Sequence, residues 1–214
     1  MRYSGPINGL FKFLDREYLD DFLSGSLYMN TLQYFAEREA HDPGAEVRGD
    51  SWEGVARVFG IRSAAVRIND IYVPITGIDH QLPWRPTDGI RANVFCMYAL
   101  AENWGPPVHE ENFNFGDTVA CITDVSEFFR RLKAAEKVCE FRFSCDLVEY
   151  FPPTYQGEVG IFRKRSQFQY QSELRIAVEP GPGKPYKLNV GDLSDIVVTG
   201  ASREINECLH WPAQ

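Results

Sequence analysis

The sequence predicts an α+β fold in a single domain spanning residues 1–214, built on a mixed or mostly antiparallel sheet. Three observations carry this. Strand-like runs outnumber helical ones. The two longest helical patterns lie far apart in the chain. No linker divides it: Gly181-Pro182-Gly183-Lys184-Pro185 is too short and too late to separate domains, and 214 residues suit one domain of the usual size.

The elements follow in order. Asn8-Gly9 signals a turn, and Leu10–Leu14 after it has the length and aromatic content of a strand. Tyr18, Leu19, Phe22 and Leu23 recur at helical spacing, with Gly25 where a helix C-cap glycine belongs. Leu27–Asn30 reads as a strand and Thr31–Glu39 as a turn or two of helix. Ala40–Ser51 is polar, with a turn at His41-Asp42-Pro43-Gly44. Strands are expected at Val55–Ile61, Ala65–Ile68 and Ile71–Ile75, the last two joined tightly at Asn69-Asp70. His80–Asp88 carries two prolines and reads as loop. Asn93–Leu100 is an almost unbroken apolar run, as in a buried central strand. Glu102–Asp117 reads as a polar loop and Thr118–Ile122 as a strand. Asp124 is placed to cap a helix over Val125–Lys137, with Glu127 completing a capping-box-like pattern and Phe128, Leu132 and Ala135 forming its apolar stripe. Val138–Tyr150 alternates as a long half-buried strand, and Glu158–Phe162, Glu173–Glu179, Tyr186–Val190 and Asp195–Thr199 are further strands.

Composition narrows the function classes. Hydrophobic residues make up 44% and aromatic residues 14%, enough for a sizeable core rather than a disordered chain. No apolar run approaches the roughly 18 residues of a membrane span, and the first residues lack the apolar region of a signal peptide. The net charge of -8 opposes a broad electrostatic grip on nucleic acid or anionic membrane, leaving only a local basic patch to act. The five cysteines are odd in number and lack C-x-x-C spacing, so reduced thiols in a cytoplasmic protein are expected. His41, His80, His109 and His210 match no zinc spacing, and no metal is expected. No nucleophile elbow, Walker A or G-x-G-x-x-G sequence is present.

The most informative segment runs from Phe162 to Ile176. Three cations, Arg163, Lys164 and Arg165, precede Phe168 and Tyr170, and a strand then opens with Gln171-Ser172-Glu173. Alternation puts Gln171, Glu173 and Arg175 on one face. A carboxylate and an amide side by side can hold a ribose hydroxyl and a second reactant together; the same pattern also suits the polar outer face of an amphipathic strand. The Arg163-Lys164-Arg165 run beside Phe168 and Tyr170 suits phosphate contacts and base stacking, a solvated basic loop, or a site for nucleotide phosphates. Arg48-Gly49-Asp50-Ser51-Trp52-Glu53-Gly54 reads as a pocket wall or as a solvated loop anchored by Trp52.

Gln171-Ser172-Glu173 resembles the Q/E-x-E signature of ADP-ribosyltransferases, and the aromatic residues before it resemble their acceptor-recognition loop. That family's first core strand supplies an Arg or His, where this chain offers Lys12, and its next strand supplies a small polar residue or tyrosine, where Tyr28 and Asn30 stand. The resemblance covers three short segments in the expected order, without the S-T-S triplet. The chain is also similar to uncharacterised bacterial proteins, some linked to phage defence, that share an N-terminal Lys and a late E-x-E-x-R-like strand; a toxin role belongs to the same setting.

The resemblance implies an ADP-ribosyltransferase-like fold that uses NAD as substrate and passes ADP-ribose to a macromolecular acceptor, nucleic acid or protein. It implies Glu173 and Gln171 as catalytic residues, Lys12, Tyr28, Asn30 and Tyr170 as NAD contacts, and Arg163, Lys164, Arg165 and Phe168 as acceptor contacts. Glu173→Gln is expected to abolish turnover with little loss of stability. A NAD glycohydrolase on the same fold, or a non-catalytic binding module, are the rival readings.

Overall fold

The first strand, β1 (Ile7–Leu14), is apolar on both faces because both sides of its sheet are covered. Leu10 and Leu14 enter one core cluster, while Phe11 and Phe13 enter another. The computed structural model describes residues 7–41, 50–60, 65–74, 81–101 and 107–209. A single 3-10 turn at Arg16–Tyr18 leads into α1 (Leu19–Leu23), which buries Leu19 and Phe22. The helix ends at Gly25, whose φ of 84° lies in the left-handed region. A Cβ there would lie 1.8 Å from the Gly191 carbonyl oxygen, so only glycine fits this close approach.

The chain continues through β2 (Ser26–Thr31) and α2 (Leu32–His41). Four short strands follow: β3 (Arg57–Gly60), β4 (Ala65–Ile68), β5 (Ile71–Pro74) and β6 (Gln81–Trp84). Asn69 and Asp70 both have positive φ, as a two-residue hairpin turn requires. Next come the long buried strand β7 (Asn93–Ala101), a 3-10 segment at Glu110–Phe115, and β8 (Thr118–Ile122). The helix α3 (Val125–Glu136) starts where Asp124 accepts the Glu127 backbone N–H at 2.8 Å, and it packs Phe128, Leu132 and Ala135 into the main core. The remaining elements are β9 (Arg142–Leu147), β10 (Glu149–Phe151), β11 (Gly157–Glu158), β12 (Arg163–Arg165), β13 (Glu173–Glu179), β14 (Tyr186–Asn189), β15 (Val197–Ala201) and α4 (Ile205–Cys208).

The fold is α+β, rich in sheet, and its main sheet is antiparallel. Eight strands form it, in the order β14-β2-β7-β1-β8-β15, with β13 on the other edge of β7 and β9 beyond β13. Among the described residues the parallel pairing is β10 with β12. The sheet splits along one edge of β7. Tyr98–Ala101 of that strand pair with β1, whereas Asn93 and Val94 pair with β2. Among the described residues, Phe95, Cys96 and Met97 have no strand partner on that edge, so a gap opens between the first two strands of the fold.

Several expectations need correction. Gln81–Trp84 is a strand, not loop: it is the edge of the β11-β3-β6 sheet, where Pro83 is tolerated. Glu158–Phe162 is not a strand beyond Glu158, because Gly160 turns the chain at φ 68°. The long strand expected over Val138–Tyr150 is two, β9 and β10. Glu127 does not close a capping box; its carboxylate holds Arg130 and Arg131 at 2.6 and 2.7 Å. Gln171 ends a 3-10 segment, Ser166–Gln171, and Ser172 at φ 40° separates it from β13. Asp42-Pro43-Gly44 of the expected turn, Arg48, Gly49, Ile61, Ile75, His80, Pro106 and His210 lie outside the described residues.

Candidate functional site: a buried ion cluster beside a split sheet

Arg175 is in the middle of β13, where both sheet faces are covered, and its side chain is buried. A guanidinium in that position requires carboxylates around it, since an unpaired buried charge is prohibitively unfavourable. Two supply them. Arg175 Nε donates to Glu173 Oε1 at 2.7 Å, two residues earlier on the same face. Its Nη1 and Nη2 donate to Glu53 at 3.0 and 2.8 Å, a bidentate pair that closes across 122 residues. Nη1 also donates to the Ile161 carbonyl at 2.5 Å. A second cation completes the cluster. Lys164 Nζ lies 2.8 Å from Gln171 Oε1, 3.0 Å from Glu173 Oε2 and 3.4 Å from Glu53 Oε1. Two carboxylates and two cations therefore form a neutral quartet, with Gln171 attached through Lys164.

The loop that carries Glu53 is held from several sides. Asp50 accepts the Trp52 backbone N–H at 2.9 Å and pairs with Arg165 at 2.7 Å. Arg165 stacks over the Trp52 ring at 5.3 Å, and Trp52 packs on Phe151. Arg85 binds the Ser51 carbonyl. This segment is a pocket wall with Asp50 and Glu53 buried, not a solvated loop.

The quartet borders a cavity of about 790 Å³ that occupies the gap in the sheet, a size suited to a cofactor-sized ligand. Lys12, Tyr28, Asn30, Gln171, Glu173 and Lys164 all line it. The register shows how they reach it. Asn30 pairs with Val94, Arg175 with Cys96 and Glu173 with Tyr98, so Tyr28, Asn30, Arg175 and Glu173 share one face of the sheet. Phe11 also pairs with Tyr98, which puts Lys12 on the opposite face. Lys12 reaches the cavity through the gap: its ammonium donates to the Cys96 carbonyl at 2.8 Å and lies 4.5 Å over the Phe95 ring. Tyr28 is 51% exposed at the opening, with Tyr18 and Tyr34 also exposed on the lining.

The other expected site residues lie elsewhere. Tyr170 is outside the cavity lining; it stacks against His109 at 5.3 Å, and its hydroxyl accepts from Gln171 Nε2 at 3.4 Å. The basic run is a strand, not a loop. Arg163 pairs with Glu149 at 2.7 Å, Arg165 pairs with Asp50, and Lys164 points into the quartet. Phe168 is 3% exposed, with Lys164 and Arg165 each 5.4 Å from its ring. The expected acceptor grip by Arg163, Lys164, Arg165 and Phe168 therefore gives way to ion pairs and packing within the fold.

Asn112 and Cys96 also line the cavity, outside the segments the sequence points to, and Glu53 lines it from the segment that reads as a pocket wall or a solvated loop. Asn112 fixes the segment before Gln171, donating from Nδ2 to the Tyr170 and His109 carbonyls. Burial pushes the Cys96 thiol up to about 12, with the Glu173 charge adding to the effect, so it is not a thiolate nucleophile at neutral pH.

Burial opposes the charge on Glu173, but Arg175 and Lys164 outweigh it and hold the carboxyl well below the usual carboxylate range. Burial likewise opposes the charge on Lys164, and Glu173 with Glu53 outweighs it and raises the ammonium well above its ordinary value. The signs fix a pH dependence. The contribution of Glu173 is present above the unfolded carboxyl value of about 4.3 and is lost as pH falls through the folded value. That of Lys164 is present below about 10.4 and is lost as pH rises through the folded value. Asp50 acts in the opposite sense, its carboxyl raised by burial and by Glu53. The melting temperature is therefore expected to fall on acidification below about pH 4.5, with a shallower acid limb in Glu173→Gln. Thermal melts across that range check this; identical acid limbs in the two proteins would exclude Glu173 as a source.

Among the described residues no helix is long and apolar enough to cross a membrane, and no group of His, Cys, Asp and Glu side chains is placed to hold a metal. The five cysteines, all among those residues, form no disulfide. No protein-family model, curated protein or solved structure matches the chain.

Proposed function

We propose that the chain transfers ADP-ribose from NAD to a macromolecular acceptor, on an ADP-ribosyltransferase-like fold. One observation carries this reading: residues from β1, β2 and the start of β13 converge on a single cavity at a split in the sheet. Those are the segments that resemble the family. The nicotinamide–ribose bond breaks with its electron pair leaving on nicotinamide, and positive charge develops on the ribose. Glu173 accepts a hydrogen bond from the ribose 2′-hydroxyl and stabilises that charge. A carboxylate has about four acceptor sites, so its bonds to Arg175 and Lys164 leave room for the hydroxyl. Tyr28 stacks on the nicotinamide ring, with Asn30 beside it, and Lys12 faces the pyrophosphate through the gap. Gln171, held by Lys164 and Tyr170, orients the acceptor, whose nucleophilic atom bonds to ribose C1′ and releases its proton to solvent.

The division of labour is testable. Gln171→Ala is expected to slow transfer of labelled ADP-ribose to macromolecules by about tenfold or more while nicotinamide release to water persists. Label transfer and nicotinamide release are measured side by side. Equal loss of both would remove acceptor positioning from Gln171. A second reading rests on a different observation: Glu173 is buried between two cations of its own fold, as in a binding module that holds NAD without cleaving it. In that case NAD binds and nicotinamide is never released.

A further inference from the structure

We infer that Glu53 is a positioning residue that frees the charge of Glu173 for the reacting ribose, an inference that rests on the transferase reading above. Glu173 lies 2.7 Å from Arg175 Nε and 3.0 Å from Lys164 Nζ. Two cations against one carboxylate would make this corner of the cavity positive and oppose a developing cation. Glu53 changes that balance. It holds Arg175 by a bidentate pair and lies 3.4 Å from Lys164, so each cation is shared between two carboxylates and the corner is neutral. Glu53 also fixes where Glu173 points. The Arg175 guanidinium is planar, and its Nη1 and Nη2 donate to Glu53, which sets the direction in which Nε meets Glu173.

The placement of Glu53 suits this role. It is buried, it lines the cavity, and it comes from a loop pinned by Asp50–Arg165 and by Trp52 against Phe151. Its partners lie more than a hundred residues further along the chain, so it couples that loop to β12 and β13. The other carboxylates on the cavity lining are Asp15 and Asp21, and Asp21 pairs with Lys187 at 2.8 Å instead of with the quartet.

The effect on catalysis differs in sign from its effect on binding. Glu53→Gln keeps the shape and removes one negative charge. The cavity becomes more positive, which favours the dianionic pyrophosphate of NAD and disfavours the cationic ribose. In the full-length protein, kcat for nicotinamide release is expected to fall by about tenfold or more. The dissociation constant for NAD, measured by calorimetry on the same preparation, is expected to stay the same or tighten. Glu53→Asp keeps the charge and should recover part of kcat. A merely structural role would instead lower the folded fraction, leaving kcat per folded molecule and the affinity for NAD unchanged. That result, or an unchanged kcat in Glu53→Gln, would overturn the inference while leaving the transferase reading intact. If the wild-type protein binds NAD but releases no nicotinamide, the transferase reading falls and the inference falls with it.

Discussion

Glu173→Gln is expected to abolish nicotinamide release and to weaken the fold as well. The loss of rate follows from removing the charge that faces the developing cation, an effect of roughly 3–4 kcal/mol, or a hundredfold or more. The expected loss of stability differs from the sequence-based expectation, in which Glu173 opens a strand whose Gln171-Glu173-Arg175 face also suits a polar outer face. The side chain is 4% exposed and lies against two cations, so the amide leaves Arg175 and Lys164 sharing one carboxylate. Removing one partner of a buried ion pair costs roughly 3–5 kcal/mol, a large part of the roughly 5–15 kcal/mol that keeps a typical domain folded. Denaturant melts at neutral pH give the stability change, and rates per folded molecule give the catalytic one. A variant as stable as the wild type would contradict the burial of this charge. A variant with wild-type turnover per folded molecule would remove Glu173 from the chemistry.

Arg175→Met is expected to destabilise the fold by a similar amount. Arg175 is the largest fully buried side chain among the described residues, and its loss leaves Glu53 and Glu173 with Lys164 as their shared cation. A loss of roughly 3–5 kcal/mol follows, because two buried carboxylates are left to share one ammonium. Lysine is not a substitute, because an ammonium cannot reproduce the bidentate pair to Glu53 while also reaching Glu173. The double variant Glu53→Leu with Arg175→Met retains the pair Lys164–Glu173 and a neutral total. It is therefore expected to be more stable than the sum of its single variants by more than about 1 kcal/mol. Chemical denaturation of all four proteins closes the cycle. Strict additivity would mean that Glu53 and Arg175 do not act as a pair.

Much of the fold was legible because its strands carry strong local patterns. The unbroken apolar run of β7, the short aromatic run of β1 and the capped amphipathic stripe of α3 each report local structure directly. The errors have physical causes. Pro83 reads against a strand, yet it sits on an edge strand that can do without its N–H. Val159 and Ile161 look like strand residues, but Gly160 turns the chain between them and each is buried in a different hydrophobic cluster. Gln171 and Glu173 read as neighbours on one strand. The turn at Ser172 separates them, and Lys164 brings their side chains together again.

The candidate site was half legible for a related reason. Lys12, Tyr28, Asn30, Gln171 and Glu173 carry short patterns, and each of them lines the cavity. Glu53 sits in a polar, glycine-containing loop that resembles a solvated turn, and nothing near it in sequence shows that it is buried. A signal did exist. Arg175 in the middle of an apolar strand demands at least one distant carboxylate, but the sequence alone does not say which. The basic run misled in the opposite direction. Three consecutive cations suggested a ligand for phosphate, whereas Glu149, Asp50 and the quartet each take one of them.

The central claim is that the gap between β1 and β2 is a site for NAD. Calorimetric titration of NAD into the wild-type protein, repeated with Tyr28→Ala, tests it most directly. Tyr28 is exposed at the opening and its removal disturbs no core packing, so the variant folds and reports on binding alone. The expected result is saturable binding of one NAD per chain, weakened about tenfold or more in Tyr28→Ala through loss of ring stacking. Absence of saturable binding to the wild type, or equal affinity in both proteins, would contradict the account.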